Sequence, residues 1–156
     1  MSPIPSYPGG MYFEEFEVGQ KILTAGRTVT EADIVAFAGL SGDFNQIHTD
    51  REYSKATSFG QRVAHGLLGV SIATGLAVQA GVLRGTVLAF REIKEWKFIL
   101  PVYIGDTLQV EMDVLETKAL RRIGGGAVII GMDVKNQEGK STMKGNLSVL
   151  IMSKPE

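Results

Sequence analysis

Cysteine is absent from the 156 residues. That removes disulfides, a thiol nucleophile and thiolate metal sites together, and it accords with a cytoplasmic location. Histidine is nearly absent too. His48 and His65 are the only imidazoles, so a zinc or iron centre would lean on carboxylates, and no metal is expected. Neither sign of charge dominates: 16 basic against 17 acidic side chains leave a formal charge of −1. Nothing there calls for nucleic acid, and no charged block suggests an interaction tail. The first ten residues lack both a basic start and an apolar run, so they do not read as a signal peptide. Their three prolines and two glycines predict a flexible arm over residues 1–10, ahead of a single domain over 11–156. Long uncharged runs are scarce. Gly66 to Leu83 is the one that approaches a membrane span. Ser71, Thr74, Gln79 and four glycines interrupt it, which argues for a helix buried inside a domain and against membrane insertion.

What is present concentrates in residues 41–50, Ser-Gly-Asp-Phe-Asn-Gln-Ile-His-Thr-Asp. Asp43 and His48 are a carboxylate and an imidazole, the usual partners for moving protons near neutral pH. Residues five apart on a helix point well away from one another. If the two act together, an irregular loop must bend to join them, and Gly42 and Asn45 allow that. Read from the residues alone, a turn carboxylate bonded to its own backbone beside a solvated histidine is the more usual arrangement.

Around this loop the pattern is mixed. Gln20 to Val29 reads as an early strand. Thr30 followed by Glu31 and Asp33 reads as a helix start, and Gly39 and Gly42 close that helix. Asp50 is placed to cap a short helix through Lys55, and residues 57–62 read as loop. The long helix, Gly66 to Ala80, carries glycines at 69 and 75, each disfavoured by up to about 1 kcal/mol against alanine. They predict close approach of the backbone to a sheet. Thr86 to Ile99 reads as strand and Pro101 to Asp106 as turn. Leu108, Val110, Met112 and Val114 alternate with polar residues, and Ala127 to Val134 forms another strand. A hairpin at Asn136–Gly139 leads to Met143–Ile151. Gly124-Gly125-Gly126 is expected in a hairpin loop, not a phosphate loop. Helices on one face of an antiparallel sheet define an α+β fold, with the sheet wrapped around the long helix. Exposed edges predict a homodimer or a larger homo-oligomer.

Three segments in this order resemble the MaoC-like dehydratases of the hotdog fold, whose best-known members are (R)-specific enoyl-CoA hydratases. They are Ala36 to Asp50, Val63-Ala64-His65-Gly66-Leu67-Leu68, and Phe98 to Asp106 with its proline and Gly-Asp turn. The likeness covers about residues 11 to 152. Gln46 stands where members commonly have proline, which loosens the loop without removing either reactive group. The resemblance implies a single hotdog domain with a small helical overhang carrying the active-site loop. It implies that Asp43 and His48 hold one water against the β-carbon of a trans-2-enoyl thioester. Gly66 would offer its backbone N–H to the thioester oxygen at a helix amino end. Asn45, His65, Ser71 and Thr74 are expected near the substrate. Of these, Asn45 supports the loop and His65 is a buried ring bonded to backbone, while Ser71 and Thr74 face the acyl tunnel or the sheet. The substrate would be an acyl-CoA, with no cofactor beyond the thiol carrier, and Arg84, Arg91, Lys94 and Lys97 are candidates for its phosphates. A hotdog thioesterase and a non-catalytic acyl-CoA-binding module are the alternatives.

Overall fold

The structure, a computed structural model, describes residues 9–156. Most of the arm expected over residues 1–10 therefore lies outside the described residues.

Helix α1 (Glu31–Ser41) starts where the sequence places it. Thr30 Oγ1 accepts from the Asp33 N–H, and the Asp33 carboxylate accepts from the Thr30 N–H at 2.8 Å, a reciprocal cap that satisfies two orphan donors. Gly42 closes the helix at φ +78°, its N–H bonded to the Ala38 carbonyl; that left-handed conformation favours glycine. Two short helices follow, α2 (Gln46–Thr49) and α3 (Arg51–Lys55), the second capped by Asp50 as expected. They form the overhang. The long helix α4 (Gly66–Gln79) buries Leu68, Val70, Ile72, Ala73, Leu76 and Ala77. No described helix is long and apolar enough to cross a membrane.

The described residues form six strands: β1 (Lys21–Leu23), β2 (Arg27–Thr28), β3 (Val87–Phe98), β4 (Thr107–Leu120), β5 (Gly125–Lys135) and β6 (Ser141–Met152). The order is β1-β4-β5-β6-β3, with β2 also on β4, and every described pairing is antiparallel. Period-two side chains from β4, β5 and β6, among them Val110, Met112, Ile130, Val134, Leu147 and Ile151, are nearly inaccessible and pack with α4. Fully burying one such side chain is worth about 1.5–3 kcal/mol, so the sheet closes over the helix. This is the α+β hotdog arrangement.

Four local expectations need correcting. The early strand is broken, because the Thr24 hydroxyl accepts from the Val110 N–H and donates to the Ala25 carbonyl, diverting the ladder between β1 and β2. Gly125 and Gly126 belong to β5 and not to a loop. A Cβ on Gly125 would lie 2.9 Å from the Ile151 carbonyl carbon, and one on Gly126 would strike the Phe13 ring, so glycine is needed for close packing. Gly69 does meet the sheet, with a Cβ there running into the Met143 thioether, but Gly75 has open space around it. His48 lies on the α2 turn, so the irregular stretch is only Gly42 to Asn45.

Strand β3 is an edge. Among the described residues it pairs only with β6, its register slips at three places, and Glu95 takes a left-handed φ of +53° at the last of them. Val87, Leu88, Phe90, Ile93 and Phe98 on it are at least a third exposed.

Candidate active site

Asp43 is held from three sides. Its N–H donates to Ser41 Oγ at 3.2 Å, and that hydroxyl donates to the Phe37 carbonyl at 2.7 Å. Its carbonyl accepts from His65 Nε2 at 2.9 Å. Its Oδ1 accepts from the Asn45 N–H at 3.2 Å, which leaves Oδ2 facing His48. Asn45 also caps α2, its Oδ1 accepting from the Ile47 N–H at 3.3 Å, so this side chain serves the backbone of the loop.

His48 is 6% exposed. Its Nδ1 lies 2.7 Å from the Val63 carbonyl; a carbonyl only accepts, so Nδ1 carries the proton and Nε2 presents a lone pair. Val63 is itself fixed, its N–H bonded to the Ile47 carbonyl and its backbone bridged to Tyr103. Nε2 stands 3.9 Å from Asp43 Oδ2, too far for a direct hydrogen bond. Burial pushes the His48 imidazole below its usual value, and neighbouring His65 adds to this, while the Val63 hydrogen bond and the Asp43 carboxylate oppose it. Burial thus favours the neutral imidazole, the form in which Nε2 can accept from a group placed between it and Asp43.

His65 is buried and stacks on His48, centroids 3.8 Å apart and planes 25° off parallel. One oxygen of Asp43 and one nitrogen from each ring lie within 4.8 Å of one another. Each imidazole spends one nitrogen on a backbone carbonyl, which leaves one free nitrogen per ring and the Asp43 Oδ2 as the remaining polar atoms of the cluster.

Gly66 is the first residue of α4, and its N–H has no acceptor among the described residues. A Cβ on it would come within 2.9 Å of the Phe98 ring, so the absent side chain makes room for Phe98. His48, His65 and Gly66 line a hollow of about 460 Å³ whose walls are apolar, including Ile47, Phe59, Leu100 and Met143. Asp43 is not among the lining residues; its side chain, 51% exposed, faces His48, which is. Ser71 and Thr74 do not line this hollow. Their hydroxyls bond the Leu67 and Ser71 carbonyls of their own helix. None of the four basic candidates lines it either: Lys97 sits with Glu95 and Lys144, and Arg91 and Lys94 with Glu92 and Glu116. Ser41, the Val63 carbonyl, Phe59 and Phe98 were not singled out by sequence reasoning. Ser41 could have been, as a hydroxyl beside a left-handed glycine; the others come from far along the chain.

A family description, the MaoC like domain, matches residues 14–136. The chain belongs to that family. All three segments that carried the resemblance fall inside the matched span. The protein MaoC of Klebsiella aerogenes is 46% identical over 106 residues, 68% of this chain but only 31% of that protein. Thus the chain spans under a third of that relative. An (R)-specific enoyl-CoA hydratase of Aeromonas caviae is 35% identical over 104 residues, 67% of this chain and 75% of the hydratase. Among solved structures, a monoamine oxidase regulatory protein from Archaeoglobus superposes with a TM-score of 0.86 at 40% identity, covering 94% of this chain and 97% of the other. The MaoC-like domain of this chain therefore has relatives named as hydratases and as MaoC proteins.

Proposed function

We propose that the chain hydrates trans-2-enoyl-CoA thioesters to 3-hydroxyacyl-CoA and catalyses the reverse dehydration. One observation carries this reading: two acceptors, Asp43 Oδ2 and His48 Nε2, face each other across 3.9 Å beside the free N–H of a helix amino end. A water donating one hydrogen to each spans that separation. Its oxygen then points a lone pair at the β-carbon of an acyl chain seated in the apolar hollow. As the O–C bond forms, His48 Nε2 takes one water proton, and the C=C electrons move toward the thioester oxygen. The Gly66 N–H stabilises that developing oxyanion. The Nε2 proton then passes to the α-carbon on the same face, which restores the neutral imidazole and balances the addition.

A CoA carrier brings phosphate charge that no basic side chain of the hollow meets among the described residues. The outer edge of β3, unpaired among the described residues, supports a homodimer. Antiparallel pairing of two such edges would set the first half of one strand, with Arg84 and Arg91 near it, beside the last half of the other, where Phe98 borders the hollow.

Crotonyl-CoA tests the reading. Loss of ultraviolet absorbance from the conjugated double bond, with no thiol released in a parallel assay, is the expected result. Release of free thiol would point to thioester hydrolysis, and no change in either to binding alone.

A further inference from the structure

His65 has no step in the proposed addition, yet it is tied to both reacting residues. Its Nε2 donates to the Asp43 carbonyl, and its ring lies flat on His48 while Phe37 packs at 5.0 Å. Its Nδ1 is buried and has no hydrogen-bond partner among the described residues. A merely space-filling residue here would carry no polar atom that must go unsatisfied. We propose that His65 is a positioning residue for the Asp43–His48 pair: its Nε2–H pins the turn that aims Asp43, and its stacked ring shuts water out from one face of the His48 imidazole. The proposal rests on the hydratase reading for its kinetic test, though not for its spectroscopic one.

The two roles are separable by chemistry. Pinning needs a donor at the position of Nε2. Shielding needs a flat or bulky apolar group against His48. With His48 shielded, its neutral form, the one able to accept a proton, persists to lower pH. Few other charges act on it. Asp43 faces it from the loop, and α4 carries no charged side chain over Gly66–Gln79. Arg62 is paired with Glu31 of α1, and Lys55 with Glu52 within α3, where Arg51 is exposed. Residues 98–102 of the hollow wall contain none.

His65→Gln keeps an amide donor at the reach of Nε2 and loses the ring; His65→Leu keeps apolar bulk and loses the donor. For His65→Gln, kcat on crotonyl-CoA should stay within a few-fold at neutral pH while the acidic limb of the pH profile moves up by about half a unit or more. For His65→Leu, kcat should fall roughly tenfold to a hundredfold at all pH values, with little change in that limb. Equal losses in both variants with an unmoved limb would overturn the proposal and leave His65 a structural residue. The histidine count gives an independent readout. The wild type has two imidazoles and His65→Gln only one, so an NMR titration follows His48 without ambiguity, whether or not crotonyl-CoA is a substrate. An upward move of the His48 midpoint in the variant supports the shielding role, and an unchanged midpoint sinks it. If His65→Leu does not fold, the His65→Gln titration decides alone.

Discussion

At the scale of single residues, the loop works by assigning each polar atom of Asp43 and His48 one fixed task. The Asn45 N–H claims Oδ1 of Asp43, so Asp43→Asn would keep its carbonyl there and turn an NH2 group toward His48 Nε2. An acceptor becomes a donor, and the proposed water would lose one of its two supports. We expect turnover in Asp43→Asn or His48→Gln to drop by about 10²–10⁴ with an unchanged circular dichroism spectrum; near-normal activity in either would remove that residue from the mechanism. Gly66 offers a sharper test. Proline is favoured at the first position of a helix, where its missing N–H breaks no intrahelical bond. The preceding His65 has φ −58° and ψ 138°, the extended conformation a following proline requires. Gly66→Pro should therefore fold yet lose about 10²–10³ in kcat, as expected for one oxyanion donor. Gly66→Ala, which crowds Phe98 but keeps the N–H, is the control, and comparable losses in both would assign the effect to crowding.

At the scale of elements, what could be read in the sequence is what local periodicity and capping dictate. The cap at Thr30, the one-sided alternation of β4 and the apolar helix α4 all follow from short-range spacing, and each appears where expected. The break at Thr24 and the Val63 carbonyl under His48 arise from contacts between distant segments, which no window of residues contains. The departure at Gln46 is a case where the element explains the residue. Gln46 is the first residue of α2, and its N–H has no partner among the described residues. Asn45 before it is extended, at φ −53° and ψ 137°. Proline would fit there, so Gln46→Pro should raise stability by about 0.4–1 kcal/mol through the unfolded chain, seen as a higher denaturant midpoint at unchanged slope. A loss of stability would show that the loop needs the freedom that glutamine gives it.

At the scale of the whole molecule, stability should respond to acid in two windows. The folded state holds His48 below its free value of 6.5, with burial the main cause. The unfolded chain therefore binds a proton first as pH falls. The stabilisation is complete above about pH 6.5 and declines below it, until the folded-state value is passed. Glu14, Glu15 and Asp33 are also held below their ordinary values, by hydrogen bonds that outweigh burial, but they act only below about pH 4.5. Thermal midpoints measured from pH 7.5 to 5 should fall in the wild type, and His48→Gln should flatten that decline. The bent rim formed by β3 has a final consequence. A straight, regular border could recruit strand after strand into a growing ribbon, whereas a border kinked three times matches only a mate bearing the same kinks in mirror sequence. Once that mate is seated, neither copy has its β3 border left to offer, so assembly along this seam would stop at a pair, the β1 border lying at the far side of each sheet.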